Sequence, residues 1–257
     1  MPPSPNISDF SMRLLAAFIF FTRLPFWRLH EVPAECFKRV VPYWPLVGWL
    51  TGGLLAGSLW LFSHLFPLPL AFLLAIIVRL LATGCLHEDG WADFCDGFGG
   101  GTTRERTLAI MKDSHIGTYG VIGLILYFLL FWQLHTLPLA TLCALLFCGD
   151  CWSKFCAAQL INCLPYARKE EESKAKVVYN RMTFGEWLFA LGTGLLPSLC
   201  YLPRQFWPAA VAPLVMFLLL SRWMKARLQG YTGDCCGATF VLCELSFYLT
   251  CLSIWNL

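Results

Sequence analysis

The sequence predicts an all-α protein of the membrane: a polytopic helix bundle with about seven spanning helices, preceded by one short helix too small to span. Three observations carry that expectation. Charged residues make up only 14% of the 257 and hydrophobic ones 58%, whereas a soluble domain carries about 25% charged residues. The apolar residues are gathered into runs, at 43–65, 67–86, 117–136, 137–163, 184–202, 207–224 and 236–256, that match the ~20 residues a spanning helix needs. Basic residues are confined to alternate connections. Helices follow from the runs because lipid offers backbone groups no hydrogen-bond partner. No linker, repeat or low-complexity tract divides the chain, so residues 1–257 read as one integral-membrane domain.

In chain order, "LLAAFIFF" comes first, and its apolar core is short. Arg23 and Pro25 follow it without a small-residue cleavage site, so it is not a good signal peptide. Residues 9–22 read as an interfacial or re-entrant helix. In the next run, "GWLTGG" sets Gly48 and Gly52 four apart, the spacing that lets two membrane helices approach closely.

The connections assign an orientation. Residues 1–42 carry Arg13, Arg23, Arg28, Lys38 and Arg39, and residues 87–116 carry Arg104, Arg106 and Lys112. Residues 164–183 carry Arg168, Lys169, Lys174, Lys176 and Arg181, and residues 221–235 carry Arg222, Lys225 and Arg227. The intervening "SHLFPLP", "HTLP" and "LPRQFWP" hold only Arg204. The excess of positive charge on cytoplasmic loops puts the basic segments inside and the C-terminus outside. A net charge of +3 gives no reason to expect a nucleic-acid partner. The 13 cysteines fall mostly inside the apolar runs. "CGDC" has redox-motif spacing but no companion pair, so packing is the better reading.

The densest chemistry is "HEDGWADFCDGFGGG", residues 87–101. Asp89, Asp93 and Asp96 stand at i, i+4 and i+7, which lines them along one helix face. Glu88 can reach the same region. Two carboxylates ~6 Å apart repel by roughly 3 kcal/mol at an effective dielectric near 20. The group therefore protonates, binds cations, or stays in water. Three readings follow: a metal site, a proton or cation path, and a solvated acidic loop. Oxygen ligands suit Mg²⁺ or Mn²⁺, usually shared with a substrate phosphate. Gly97, Gly99, Gly100 and Gly101 are expected to break the helix and to let backbone amides approach an anion. Downstream, Arg104, Arg106 and Lys112 are candidate phosphate clamps, Asp113 adds an oxygen ligand, and His115 is a candidate base or substrate contact.

With "HEDGWADFCDGFGGG" and "IMKDSHIGTYG" in view, the chain resembles the cobalamin synthase family, the adenosylcobinamide-GDP ribazoletransferases. "FFTRLPFW", "VPYWPLVGWLTGG", "LPYAR" and "GYTGDCCGATFVLCE" extend the resemblance over nearly the whole chain, in the family's order. It implies an integral protein of the bacterial cytoplasmic (inner) membrane with its active site facing the cytoplasm. The implied reaction transfers the adenosylcobinamide-phosphate group of adenosylcobinamide-GDP to α-ribazole or its 5′-phosphate and releases GMP. Attack of a ribose hydroxyl on a phosphoanhydride needs charge neutralised on the entering and leaving oxygens, which divalent ions held by carboxylates supply. The resemblance thus favours Mg²⁺, with Mn²⁺ as substitute, held by Glu88, Asp89, Asp93 and Asp96. Asp89, Asp93, Asp96 and Asp113 become the catalytic candidates. Arg104, Arg106, Lys112, His115, Lys154, Arg168 and Asp234 become the substrate contacts. Two departures stand out. Lys154 occupies a position where the family usually has Arg, and "KEEESKAK" replaces the family's usual Pro–Glu–Gly turn and reads as a solvated charged face.

Several polar positions keep two readings. Asp234 suits a helix start and also a ligand role. Arg168 faces either phosphate or lipid headgroups. Asp150 and Lys154, at i and i+4, form a natural pair on one helix. Arg79 and Glu244 lie inside apolar runs, where ionisable groups are costly and are paired or functional. A CDP-alcohol phosphotransferase shares an acidic signature at a membrane face, but its Asp spacing differs. A transporter would set its charges at the midplane of repeated halves, and no repeat is visible. Besides the substrates and the bilayer, an oligomeric partner stays open.

Overall fold

Every one of the apolar runs forms a helix in the computed structural model, which describes residues 9–168 and 178–257. In chain order the helices are α1 (Asp9–Phe21), α2 (Ala34–Phe37), α3 (Trp44–Phe62), α4 (Leu68–Thr83), α5 (Leu86–Gly100) and α6 (Arg104–Lys112). There follow α7 (Thr118–Trp132), α8 (Leu139–Cys163), α9 (Phe184–Tyr201), α10 (Val211–Leu228) and α11 (Gly233–Trp255). "KEEESKAK", residues 169–176, lies outside the described residues. At 13 residues α1 rises only about 20 Å, short of a ~30 Å hydrocarbon core.

The count of spans differs from the sequence expectation. Among the described residues, five helices are long and apolar enough to cross a membrane, or six if α4 and α5 together make one broken span. Two runs account for the difference. From the 184–202 run, α9 has 18 residues and is not among the helices that qualify. In the 67–86 run α4 has only 16 residues, and the chain then bends by 87° into α5. Gly84 (φ 64°) and Cys85 (φ 56°) make the bend in left-handed backbone. A Cβ at Gly84 would also stand 2.6 Å from the Arg23 side chain, so only glycine fits.

The centre of the bundle is α8 and α11, whose apolar windows are 67% and 72% buried against 28–39% for the other spans. Helix α8 packs on α3, α9 and α11, and α11 packs on α5 and α10. The glycine spacing acts as expected in α3. A Cβ at Gly48 would meet Cys151 Cα at 2.9 Å, and one at Gly52 would meet Asp150 Cβ at 3.0 Å. The outer faces of α7 and α10 expose Ile122, Ile125, Leu126, Leu129, Leu214, Leu218 and Leu219. Leucine and isoleucine in that number on long helices are a lipid-facing surface, and the protein is an integral membrane protein.

The charges inside the apolar runs are paired. Arg79 Nη1 lies 2.5 Å from Glu244 Oε1, and its Nη2 donates to Tyr127 Oη at 2.7 Å. Tyr248 Oη donates to Glu244 Oε1 at 3.0 Å. One turn along α8, Lys154 pairs with Asp150 and donates to Thr51 Oγ1 at 3.0 Å. Thr51 donates to Asp150 Oδ1 at 2.9 Å. Lys154 Nζ also sits 4.3 Å from the centre of the Phe240 ring, a cation–π contact. These side chains are 0–2% exposed.

Candidate active site at the α5–α11 junction

The bend before α5 turns the acidic helix back into the bundle, against α11 and α7, rather than leaving it as an outer loop. Gly90 lets α5 seat on the start of α11: a Cβ there would stand 3.1 Å from the Asp234 carbonyl oxygen. Thr232, not Asp234, caps α11 by accepting from Cys235 N–H at 3.3 Å. Asp234 is in the first turn, where negative charge complements the helix dipole.

Two motifs distant in sequence meet here. Tyr231 N–H donates to Pro165 carbonyl oxygen at 2.9 Å, and Ala167 N–H to Tyr231 carbonyl oxygen at 2.8 Å. This pairing of "PYAR" with "GYTGD" brings Arg168 Nη2 within 3.9 Å of Asp234 Oδ2. Arg168 Nη2 also donates to the Leu108 carbonyl oxygen at 3.1 Å, which fixes the guanidinium on α6.

Between these groups and α1 lies a cavity of about 320 Å³. Phe20, Phe21 and Trp44 form an apolar wall, while His87, Asp89, Arg168 and Asp234 supply the polar side. Trp44 stacks on His87 with ring centres 5.8 Å apart and an interplanar angle of 12°. His87 is 3% and Trp44 2% exposed. Among the described residues Trp44 Nε1 and His87 Nε2 are buried without a hydrogen-bond partner, as are Glu88 Oε2 and Asp150 Oδ2.

The expected four-carboxylate cluster does not assemble. Asp89 is exposed at the cavity and Asp93 is half-buried. Glu88 turns into the bundle, 3.8 Å from Arg79. Asp96 accepts from Gly117 N–H at 2.6 Å and Gly120 N–H at 2.9 Å, so it pins the start of α7. Among the described residues no three His, Cys, Asp or Glu side chains group as a metal-holding set. Helix geometry explains the split: Glu88 and Asp89 are neighbours in sequence and point about 100° apart, and Asp96, on the face of Asp89, stands about 10 Å further along the axis. The glycine run also differs from expectation, because α5 continues through Gly100. Its glycines admit neighbours, Gly97 packing against Met111 and Gly99 against Tyr119, and are not an exposed amide nest.

The downstream candidates separate too. Arg104 is a structural tether: its Nε donates to Leu228 carbonyl oxygen at 2.8 Å and its Nη2 to Ala167 carbonyl oxygen at 2.7 Å. Arg106, Asp113 and His115 line a second, open hollow with Asp96. His115 Nδ1 lies 2.7 Å from Asp113 Oδ1, and the His115 backbone N–H donates to the same oxygen at 3.0 Å. Those two hydrogen bonds, the backbone one first, hold the Asp113 carboxyl below the usual carboxylate range. Lys112 is exposed at the end of α6. Lys154 reaches neither space: it is consumed by Asp150, Thr51 and Phe240.

His87, Trp44, Phe20 and Phe21 were not among the sequence candidates. The one local signal was His87 opening the acidic motif. The aromatic wall comes from residues that any apolar run would contain.

The model of the family described as cobalamin-5-phosphate synthase matches residues 13–252. An adenosylcobinamide-GDP ribazoletransferase of Shewanella amazonensis is 38% identical over 94% of this chain and 95% of its own length. Similar proteins of that name from Leptospira interrogans and Leptothrix cholodnii are 34% and 36% identical. They are covered over 96% and 93% of their lengths, and match 95% and 92% of this chain. No solved structure matches the chain.

Proposed function

The chain belongs to the cobalamin-5-phosphate synthase family, and on that premise we propose that the α5–α11 junction is where it transfers an adenosylcobinamide-phosphate group from adenosylcobinamide-GDP to α-ribazole. A ribose hydroxyl of α-ribazole, or of its 5′-phosphate, attacks the cobinamide-bearing phosphorus. The bond to the GMP oxygen breaks, a new P–O bond forms, and the hydroxyl proton is released. The observation that carries the assignment is the meeting of Asp89, Arg168 and Asp234, from three separate motifs, around one cavity.

The arginine contributes directly. Arg168 is held by Leu108 and Asp234, so its charge is preset to face a diphosphate without first losing side-chain freedom. Mg²⁺ is commonly bound by one or two carboxylates plus substrate phosphate oxygens, not by an all-protein cage. Asp89 and Asp234, both lining the cavity, fit that smaller requirement, and Asp93 lies one turn along from Asp89. Mg²⁺ held there would neutralise charge on the phosphate oxygens. Glu88 and Asp96 are left out of this ligand set because Arg79 and the α7 amides already hold them. The alternation of basic and uncharged connections supports a cytoplasmic site and an external C-terminus.

Purified protein in detergent, given adenosylcobinamide-GDP, α-ribazole and Mg²⁺, should release GMP. It should stop with EDTA and recover with added metal. No GMP from folded protein would refute the reaction, and EDTA-insensitive release would refute the metal. A tag at 102–108 should be shielded from reagents outside intact cells, whereas a C-terminal tag should be reached.

A further inference from the structure

Helix α6 and the "PYAR" loop hold each other by an exchange of arginines. Arg104 Nη2 donates to the Ala167 carbonyl oxygen at 2.7 Å, and Arg168 Nη2 donates to the Leu108 carbonyl oxygen at 3.1 Å. Residues 167 and 168 are adjacent, and 104 and 108 are about one helical turn apart, so the two bonds close a ring between the same two segments. Arg104 Nε, the other prong, donates to the Leu228 carbonyl oxygen at 2.8 Å. Leu228 ends α10, where carbonyls lack helical partners and a cation complements the dipole. One guanidinium thus joins α6, the end of α10 and the "PYAR" loop, close to Tyr231, whose backbone pairs with that same loop.

The local sequence gives Arg104 no reason to stand where it does. It follows the cap Thr103 in the first turn of α6, where a positive charge opposes the helix dipole. Helix α6 has other anchors: Met111 packs against Gly97, and Arg227 donates to the Gly101 carbonyl oxygen just before the helix. What Arg104 adds is its hold on the Ala167 carbonyl. A peptide unit is planar, so fixing that oxygen fixes the plane that carries the nitrogen and Cα of Arg168. The Tyr231 contact reaches only the other side of Ala167, through its N–H.

We infer that Arg104 is a positioning residue: it aims the Arg168 guanidinium at the donor's diphosphate and makes no contact with substrate itself. The inference rests on the transfer reading above, in which Arg168 meets that diphosphate.

Arg104→Gln removes the two-pronged hold on Ala167 and Leu228. The KM for adenosylcobinamide-GDP should rise about threefold to tenfold, the cost of ordering one long side chain on binding. The KM for α-ribazole should stay within about twofold, and a purely structural role would lower the amount of folded enzyme while leaving both KM values alone. A double-mutant cycle decides whether Arg104 acts through Arg168. With Arg168→Gln in place there is no guanidinium to aim, so adding Arg104→Gln should change the donor's KM by less than about twofold. Effects that multiply independently, or a wild-type KM in Arg104→Gln, overturn the inference. If Arg104→Gln does not fold, Arg104→Lys, which keeps the charge but lacks the planar fork, replaces it under the same criteria. A wild-type enzyme that releases GMP while the cycle is additive refutes the positioning role alone. A wild type that releases none refutes the transfer reading with it.

Discussion

Arg79, Glu244, Asp150 and Lys154 face one another across α4, α8 and α11, whereas His87, Asp89, Arg168 and Asp234 face a cavity. The two groups share only α11, which carries Glu244 and Asp234; His87 and Asp89 stand on α5, and Arg168 follows α8. In the first, each charged side chain has an opposite charge within 4 Å, and Tyr127, Tyr248 and Thr51 supply further bonds. In the second, Asp89 is open to solvent at the cavity and Arg168 stands 3.9 Å from Asp234. The difference separates two uses of polarity in an apolar bundle. A closed network holds helices in register, since any mispairing strands a charge in low dielectric. An incomplete one is ready for a ligand that completes it. Glu88 marks the border: it sits one residue from Asp89 yet belongs to the closed network through Arg79.

The sharpest way to break this contrast is to remove a member of the closed network. Arg79→Leu leaves Glu244 and Glu88 without their cation and should cost about 3–5 kcal/mol of stability, read as loss of folded protein in detergent thermal unfolding. Arg79→Met with Glu244→Gln should recover much of it. An Arg79→Leu protein as stable as wild type would mean the cluster is not structural.

The same logic divides the carboxylates of α5. Asp89→Asn should lower turnover at least about 100-fold, ~2.7 kcal/mol of barrier, with the unfolding midpoint unchanged. Asp96→Asn should instead loosen the α5–α7 contact, since charged-acceptor hydrogen bonds are worth about 1.5–3 kcal/mol. Its midpoint should fall along with its activity. Equal stability losses in both variants would erase the distinction.

A smaller effect is expected at Lys154. If it serves only Asp150 and Thr51, Asp150→Asn with Lys154→Gln should retain more activity than either single change, because no buried charge is left alone. A double variant as inactive as Lys154→Ala, though folded, would move Lys154 into the reaction.

The smallest effect concerns pH. The bonds from His115 lower the Asp113 carboxyl, so its contribution to the loop is present above the unfolded value near ~3.9 and lost as pH falls through the lower folded value. Between pH 5 and 8 it stays ionised. The shape of the pH–rate profile of Asp113→Asn should therefore overlay that of wild type in this window. A limb lost from the profile would make Asp113 a titrating participant.

The sequence by itself determined the helices, because a ~20-residue apolar run in lipid has few alternatives. The runs read at 137–163 and 184–202 became Leu139–Cys163 and Phe184–Tyr201. It determined the family as well, through motifs spread over nearly the whole chain. The Asp150–Lys154 pair was legible because helical spacing alone brings i and i+4 together. Tertiary structure decided what spacing cannot: which carboxylate faces what. Helical periodicity orients side chains relative to one another but not to the rest of the bundle. The Gly84–Cys85 bend sets that second orientation, sending Glu88 to Arg79, Asp96 to α7 and Asp89 to the cavity. Contacts between distant segments were beyond any local pattern: Arg79 with Glu244, 165 residues apart, and "PYAR" with "GYTGD". The aromatic wall was hidden for a related reason, because Phe20 and Trp44 read as ordinary lipid-facing or core residues until α1 and α3 close over His87.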